Sequence, residues 1–364
     1  MVAQLLNRKE NLKMSARKII IGFIFVAALL NSSICYAQSK TLRSLAEKRG
    51  IYIGTAMAVE PLRNEPLYRK TVKREFNIIV AENAFKWSSL RPAKGKFDFK
   101  DTDLLVDFAE KNKMKIRGHT LVWHRQIPDW LLKGNFTRDE LIAILKNHIQ
   151  TLVGRYRGKI FAWDVVNEAI DDQTGKFRAD SFWYQKLGSD YIQIAFETAR
   201  QADPNAKLYY NDYSAEGMNP KSDGIYALIK ELKKNAVPVD GIGWQMHVEN
   251  GFRIEPQHLE NAKRLAALGL ELSITEMDVR MKLPATTKEL QKQADAYRDV
   301  ADFCLADPAC KAVLIWGFTD KYSWIPGEFS NTGDALIFDK SYKPKLSYTA
   351  LQEAFEKSNN KNDQ

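Results

Sequence analysis

The chain has 364 residues, of which 45% are hydrophobic and 27% are charged. This composition is typical of a globular protein and excludes a disordered, collagen-like or multi-span membrane protein. Lys and Arg exceed Asp and Glu by nine, but the excess is spread along the chain without a long basic block. Such a spread is typical of a solvated surface, so nucleic acid is not expected as a partner.

The N-terminal segment has the pattern of a targeting sequence. Residues 19–30 form an unbroken apolar run that follows a basic pair and precedes small and polar residues up to Ala37. The run is shorter than the roughly 20 residues of a bilayer span and matches the basic, apolar and cleavable parts of a secretory signal. We predict a cleaved signal peptide over 1–37, and hence a secreted or periplasmic protein without a membrane contact after cleavage. Initiation at Met14 and lipid attachment at Cys35 are the alternatives.

Cleavage after Ala37 leaves two cysteines, Cys304 and Cys310. In an oxidising compartment, two cysteines separated by a short loop indicate a disulfide. A loop of this size contributes about 2 kcal/mol in the chain-entropy model. The spacing does not suit a zinc site, and no metal is expected.

Short β-rich runs alternate with amphipathic segments along most of the chain. The runs span 51–56, 76–82, 115–123, 161–168, 207–212, 240–247, 271–278 and 312–318. Several are continuously apolar, which is typical of parallel strands buried on both faces. The amphipathic segments, of which 137–156 and 189–203 are the clearest, predict intervening helices. Eight such units predict an α/β fold, a single (β/α)8 TIM barrel.

The barrel is expected to form one catalytic domain over 38–357, followed by a polar tail over 358–364. A doubly wound open sheet is the alternative architecture. A dinucleotide-binding sheet of that kind usually carries a Gly-rich first turn, and none follows any of the runs.

Polar residues follow almost every run, where an α/β barrel places its catalytic side chains. They are Glu82, Asn83, His119, Trp123, His124, Asn167, Glu168, Asn211, Asp212, Gln245, His247, Glu276, Asp278 and Trp316. Any one of them could be a satisfied hydrogen-bonding residue, but the set as a whole predicts a catalytic cleft.

Two acidic residues in this set face each other across the predicted barrel. Glu168 ends the fourth run and Glu276 lies near the end of the seventh. Glycoside hydrolysis needs such a pair, one group to protonate the leaving oxygen and one anion to act at the sugar carbon. Metal-dependent hydrolysis is disfavoured because His119 and His124 lack the helical i, i+4 spacing of metalloproteases.

Tryptophans are concentrated near the same strand ends. Trp87, Trp123, Trp130, Trp316 and Trp324 fall at strand ends or in the loops beyond them. An indole offers a flat apolar face to a pyranose and an N–H to a hydroxyl, so we expect these five to line a groove for a sugar chain. Two other tryptophans lie inside strands and are expected in the core: Trp163 and Trp244.

Taken together, the blocks FNIIVAENAFKW, GHTLVWHRQIPDWL, WDVVNEA, YYNDY, GWQMH, ITEMD and WGFTDKYSWIPG resemble the xylanases of glycoside hydrolase family 10, over about 41–357. The resemblance implies a retaining endo-β-1,4-xylanase that acts on xylan without a cofactor. It implies Glu168 as acid/base and Glu276 as nucleophile, and a disulfide between Cys304 and Cys310.

The same resemblance implies roles for the surrounding side chains. Asn167 would bind the sugar 2-hydroxyl, and His247 and Asp278 would orient Glu276. The implied substrate-binding residues are Glu82, Asn83, Lys86, His119, Trp123, Gln126, Gln245, Trp316 and Trp324. Phe85 replaces the methionine common in that block, and we expect it to point into the core.

Three rival functions remain open. A related barrel glycosidase, an endoglucanase or a mannanase, is the nearest. A non-catalytic glycan-binding protein is disfavoured because both acids and their orienting partners are present. A nucleotide-dependent enzyme lacks a phosphate-cradling loop. The expected oligomeric state is, by default, a monomer.

Overall fold

Eight parallel strands close into a barrel in the computed structural model, which describes residues 40–357. The strands of this part are β1 Tyr52–Met57, β2 Ile78–Ala81, β3 Lys115–Val122, β4 Ala162–Asn167, β5 Lys207–Asp212, β6 Gly241–Trp244, β7 His247–Glu249, β8 Glu271–Lys282, β9 Cys310–Ile315 and β10 Thr332–Gly333. Strands β1 to β6, β8 and β9 pair in parallel, and β9 pairs with both β8 and β1. The predicted (β/α)8 barrel is confirmed, whereas the predicted signal peptide over 1–37 and the tail over 358–364 lie outside the described residues.

Helices follow the barrel strands and surround them. Their bounds are α1 Leu42–Arg49, α2 Val59–Asn64, α3 Pro66–Glu75, α4 Trp87–Leu90, α5 Lys100–Lys111, α6 Asp129–Leu132, α7 Arg138–Arg155, α8 Phe182–Leu187, α9 Asp190–Ala202, α10 Pro220–Lys234, α11 Pro256–Ala266, α12 Thr287–Ala306, α13 Ile325–Glu328 and α14 Leu346–Glu356. Helix α7 begins as predicted after Thr137, whose hydroxyl accepts a hydrogen bond from the Glu140 backbone N–H while the Glu140 carboxylate accepts one from the Thr137 N–H. This capping box satisfies two backbone donors that have no partner within the helix. Within residues 40–357, no helix is both long and apolar enough to cross a membrane.

The main hydrophobic core lies between the barrel and the helices, and a smaller apolar cluster is built largely from strand side chains. Successive side chains of a strand point to opposite faces, so Ile79 packs toward the helices while Ile78 and Val80 belong to the smaller cluster. Trp163 and Trp244 are fully buried, as predicted. A side chain at position 118 would collide with Trp163, because an added Cβ would lie 2.1 Å from its ring, so Gly118 is required there.

Strand β8 extends four residues beyond the predicted run. Its extra length pairs with β7 in parallel and with β10 in antiparallel orientation. The predicted run 240–247 is interrupted between β6 and β7, where Met246 has a φ of 62°. These departures from a simple barrel lie at the carboxyl ends of the strands, where the polar residues meet.

Candidate active site

The carboxyl ends of the barrel strands surround a cleft of about 520 Å³. Its lining includes most of the predicted site residues: Glu82, Asn83, Lys86, His119, Trp123, Gln126, Asn167, Glu168, Gln245, His247, Glu276, Trp316 and Trp324. Asp278 is fully buried behind this surface. The fold therefore brings together Glu168 and Glu276, which are separated by 108 residues in the sequence (276 − 168).

Glu276 is held by three side chains, which come from β3, β5 and β7. Asn211 Nδ2 donates to Oε1 of Glu276 at 2.6 Å. His247 Nε2 lies 3.4 Å from Oε2, and His119 Nδ1 lies 3.7 Å from Oε1. The carboxylate is 4% exposed, so its orientation is fixed by these contacts while one edge still reaches the cleft.

The surroundings favour the ionised form of Glu276. Burial alone would raise its pKa, but the neighbouring His119 and the hydrogen bond and charge of His247 hold the pKa below its ordinary value. His247 is itself supported by Asp278: burial opposes its charge, yet Asp278 raises the pKa of His247 to about 10. Glu276 is therefore an anion facing the cleft, as a nucleophilic carboxylate requires.

A buried ion pair lies behind His119. His119 Nδ1 is 3.0 Å from Oδ2 of Asp164, which also accepts hydrogen bonds from the guanidinium of Arg117. His119 and Asp164 are register partners on β3 and β4, so their side chains leave the sheet side by side. This ion pair could not be predicted from the sequence, because charged residues alternating with apolar ones are also typical of a half-exposed strand.

Glu168 stands where the chain leaves β4. Its backbone φ is 57°, in the left-handed region, and its N–H donates to the carbonyl of Asn211. The Trp123 indole N–H donates to Oε2 of Glu168 at 2.8 Å. Oε1 accepts from Gln245 Nε2 at 3.0 Å and from Asn167 Nδ2 at 3.1 Å. Glu168 thus receives neutral donors, whereas Glu276 lies beside the charged ring of His247.

Amide side chains connect the two carboxyl groups. Asn211 Nδ2 donates to Asn167 Oδ1 at 2.8 Å as well as to Glu276. Gln245 Nε2 contacts Asn167 Oδ1 at 3.2 Å in addition to Glu168. Asn211 was predicted at a strand end but was not assigned a role, and its central position is a finding of the structure.

One end of the cleft carries a polar cluster formed by Glu82, Asn83, Lys86 and Gln126. Asn83 Oδ1 accepts from Lys86 Nζ at 3.1 Å and from Gln126 Nε2 at 3.3 Å. Burial lowers the pKa of Lys86 against the opposing effect of the nearby carboxylates, and burial raises the pKa of Glu82. Glu82, Asn83 and Lys86 follow the same strand, and the contact of Gln126 with Asn83 is a finding of the structure. Together they form a dense set of donors and acceptors suited to sugar hydroxyls.

The aromatic lining of the cleft is smaller than predicted. Trp123, Trp316 and Trp324 line it, and Trp324 donates its N–H to Asp278 Oδ2 at 2.8 Å. The prediction for Trp87 is wrong: the ring is buried against His148, and its N–H donates to the Leu121 carbonyl. Trp130 does not line the cleft either; its N–H donates to the Arg91 carbonyl. Both indoles serve packing behind the loops.

Several lining residues were not predicted as site residues. They are Arg125, Arg178, Tyr213, Ser214, Arg280, Glu328 and Phe329, whereas His124 lines the cleft as its strand-end position predicted. Tyr213 follows a β-rich run directly and could have been found by that position. The others lie farther along the loops, where residue type alone does not distinguish a cleft wall from an exposed surface.

Three further features bear on the predictions made from the sequence. Cys304 and Cys310 form a disulfide, as predicted. Among residues 40–357, no group of three or more His, Cys, Asp or Glu side chains is arranged to hold a metal ion. Phe85 is fully buried with its ring edge against Trp163, as expected from the sequence.

Comparison with known proteins places this cleft in a family. A model of glycosyl hydrolase family 10 matches residues 41–354. The endo-1,4-beta-xylanase B of Thermotoga neapolitana is 44% identical over 88% of this chain and 93% of its own length. The crystal structure of xylanase 10B from Thermotoga maritima is 46% identical with a TM-score of 0.85, covering 87% of this chain and 98% of that one. Xylanase 10B from Thermotoga petrophila RKU-1, solved in complex with xylobiose, is 45% identical with a TM-score of 0.85, covering 87% and 97%.

Proposed function

The chain belongs to glycosyl hydrolase family 10 and is an endo-1,4-β-xylanase, and we propose that it cleaves internal bonds of xylan by double displacement with retention of the anomeric configuration. The observation that carries this proposal is the pairing of Glu276, an anion held by histidines, with Glu168, which receives neutral N–H donors in the same cleft. Two opposed carboxyl groups of different protonation state are the requirement of this chemistry.

In the first step, Glu276 attacks the anomeric carbon while Glu168 gives its proton to the glycosidic oxygen. The bond between that carbon and that oxygen breaks, the leaving chain departs as an alcohol, and a glycosyl ester forms on Glu276. In the second step, the Glu168 carboxylate takes a proton from water, whose oxygen displaces Glu276 from the anomeric carbon. We expect the two carboxyl groups to stand about 5 to 5.5 Å apart, the separation that retention requires.

The neighbouring amides and histidines would support these steps. Asn167 contacts Glu168 and Asn211, so its amide lies where it could bind the 2-hydroxyl of the sugar being cleaved. His247 and Asp278 would keep Glu276 ionised and oriented. Asn211, which donates to Glu276, is added to this set of positioning residues.

We assign the polar cluster of Glu82, Asn83, Lys86 and Gln126, together with Trp316, to binding of the glycone part of the chain. Gln245, His119, Trp123 and Trp324 would form the walls of the central subsite. A hydroxymethyl group on the sugar would crowd the polar cluster, which favours xylose over glucose or mannose. A structural relative solved with xylobiose supports the same substrate class.

Product analysis tests the proposal directly. Proton NMR of the first product released from xylo-oligosaccharides should show the β-anomer first, followed by slow mutarotation. The first appearance of the α-anomer would indicate inversion. Reducing-end assays on xylan, carboxymethylcellulose and mannan should give activity on xylan, whereas preference for another polymer would indicate an endoglucanase or a mannanase. Xylan binding without release of reducing ends would indicate a glycan-binding protein.

We also propose that the enzyme acts outside the cytoplasm, with the barrel over 38–357 as its catalytic domain. The sequence of 1–37 and the disulfide between Cys304 and Cys310 support this location. N-terminal sequencing of the mature protein should begin at Gln38. A mature chain that begins before Ile19 would contradict the cleaved signal.

A further inference from the structure

The basic side chains that line the cleft are, with one exception, placed against carboxylates. Arg178 lies 3.3 Å from Asp172, and Arg280 lies 2.6 Å from Glu249. Lys86 is surrounded more loosely by the carboxylates of Glu276, Glu82 and Glu168, whose charges all act on it. The protein therefore provides an internal counter-charge for each of these cations.

Arg125 is the exception. Its side chain is exposed and lines the cleft. Among residues 40–357, no carboxylate lies within 4.0 Å of its guanidinium, and no side-chain hydrogen bond or aromatic ring engages it. A long cation without a partner loses little by binding an incoming anion, because no ion pair of the protein has to be broken first.

The position of Arg125 is set by its neighbours in the chain. Gln126 contacts Asn83 in the polar cluster, and His124 Nδ1 lies 3.9 Å from Oε2 of Glu168. Arg125 therefore lies on the stretch of cleft wall between the proposed glycone cluster and the proposed acid/base. A substituent on a sugar bound along this stretch would come within reach of its side chain.

We propose that Arg125 binds the carboxylate of a uronic-acid substituent on xylan, and so selects acid-decorated stretches of the polymer. The xylan backbone is neutral, so the substrate can offer Arg125 an anionic partner only through a charged substituent. The planar fork of a guanidinium matches a carboxylate with two parallel hydrogen bonds. This inference rests on the proposed xylanase function.

The test compares Arg125→Gln with wild type on glucuronate-bearing xylan and on the same xylan after chemical reduction of its carboxyl groups. The two substrates share chain and branching and differ only in charge. Loss of an exposed ion pair of this kind should raise the KM of Arg125→Gln for the acidic xylan by roughly three- to fivefold at low salt, with kcat unchanged. No change is expected on the reduced xylan, and about 0.5 M NaCl should abolish the difference.

Two variants control this comparison. Arg157→Gln removes another exposed arginine, which follows α7 at the opposite end of the barrel and, within residues 40–357, has no carboxylate within 4.0 Å. This variant should match wild type. Arg125→Lys keeps the charge without the fork, so its preference for acidic xylan should lie between those of wild type and Arg125→Gln.

A KM that rises equally on both xylans, or that does not change on either, overturns the inference while the xylanase function stands. Cleavage of neither xylan by the wild type overturns the proposed function instead. Calorimetry with a glucuronate-bearing xylo-oligosaccharide in an inactive Glu276→Ala background then still decides the role of Arg125. If Glu276→Ala and Glu276→Ala/Arg125→Gln bind this oligosaccharide with equal affinity, the proposed role of Arg125 is refuted without a measurement of turnover.

Discussion

The imidazole of His247 lies against the carboxylate of Asp278, with Nδ1 2.9 Å from Oδ2. The other ring nitrogen lies 3.4 Å from Glu276. Because Asp278 raises the pKa of His247 to about 10, the ring carries a positive charge at neutral pH. Asp278 thus keeps His247 protonated, and the positive charge of His247 in turn keeps Glu276 ionised.

Replacement of His247 by Asn should move the acid limb of kcat/KM to higher pH. The positive charge of His247 lowers the pKa of Glu276, so its loss raises that pKa and Glu276 is protonated at a higher pH. An opposite charge within about 4 to 6 Å shifts the pKa of a carboxyl group by about 1 unit or more, so we expect the acid limb to move by about that amount. The kcat/KM profile of the free enzyme on a soluble xylo-oligosaccharide measures the limb directly.

The control for this profile is His258→Asn, which removes a histidine from α11. His258 accepts a hydrogen bond from the Glu255 N–H and does not line the cleft. This variant should keep the wild-type acid limb. An unmoved limb in His247→Asn would show that His247 does not set the ionisation of Glu276.

Glu168→Ala should lose roughly 10² to 10⁴-fold in activity on xylan but much less on an aryl xylobioside with a good leaving group, which needs no protonation. Azide should then raise turnover of the activated substrate and give a β-glycosyl azide, because a small anion can attack the ester in the space left by the carboxylate. Product analysis by NMR identifies the azide.

Glu276→Ala is the matched variant for this rescue. If Glu276 is the nucleophile, azide added to this variant should attack from the face that Glu276 occupied and give the α-configured azide. A β-azide from Glu276→Ala would contradict the assignment of Glu276 as the nucleophile. No rescue of Glu168→Ala would contradict the assignment of Glu168 as the acid/base. A fluorosugar inhibitor should label Glu276 in the wild type.

The pairing of the two glutamates could be predicted from the barrel, in which β4 and the seventh barrel strand, β8, lie across the mouth from each other. The side chains that contact the two glutamates could be predicted only in part. Asn211 and Asp212 were visible as strand-end residues, but their contacts depend on side-chain direction. Arg117 and Asp164 lie within strands, and no local pattern separates a buried ion pair from the polar face of a half-exposed strand.

The tryptophans show a second limit of the sequence. Trp87 and Trp123 both follow strand ends, yet Trp87 packs on His148 while Trp123 donates to Glu168. The choice depends on the path of the loop after each strand, which long-range packing decides. The length of β8 has the same origin, because its last residues are stabilised by β7 and β10 and not by their own propensity.

His148 should make the protein less stable in acid. It is fully buried, its ring stacks on Trp87, and neither ring nitrogen has a hydrogen-bond partner in the described structure. Burial and the charge of Arg91 lower its pKa well below the ordinary value. Below about pH 6.5 the unfolded chain binds a proton that the folded one does not, which costs up to about 1.4 kcal/mol per pH unit.

Denaturant unfolding of His148→Phe between pH 7 and 4.5 measures this contribution. A change in packing shifts the free energy of unfolding equally at every pH, so the difference in slope isolates the titration. The slope below pH 6.5 should be shallower in His148→Phe than in the wild type. Trp87→Phe, which alters the packing but keeps the histidine, should retain the wild-type slope, and parallel curves for His148→Phe would contradict the prediction.

The double substitution of Cys304 and Cys310 by Ala should lower the free energy of unfolding by about 2 kcal/mol, the loop-closure value for so short a loop. Both residues are buried at the junction of α12 and β9, far from the cleft. Reduction of the wild type under native conditions should give a loss of similar size. Activity on xylan at low temperature should not change, and a parallel loss of kcat would show that the disulfide also orders the site.

Lys221→Met should destabilise the protein by about 3 kcal/mol, because it removes one partner of a buried ion pair. Lys221 is 1% exposed and lies 2.8 Å from Asp212 and 2.7 Å from Asp172. Burial already raises the pKa of Asp212 to about 7 against the effect of Lys221. Without the lysine, Asp212 keeps hydrogen bonds from the Tyr210 hydroxyl and the Tyr213 N–H, but its charge is no longer compensated by Lys221. The deficit should therefore be largest at high pH and shrink as the pH falls and the acid takes up a proton.

The double variant Lys221→Met/Asp212→Asn separates this charge effect from packing. If the uncompensated carboxylate causes the loss, neutralising Asp212 should restore at least about 1 kcal/mol in the Met background while costing stability in the wild type. Lys230→Met on the exposed side of α10 should change the free energy of unfolding by less than about 0.5 kcal/mol. Additive losses in the double variant would show that Lys221 acts through its packing and not through its charge.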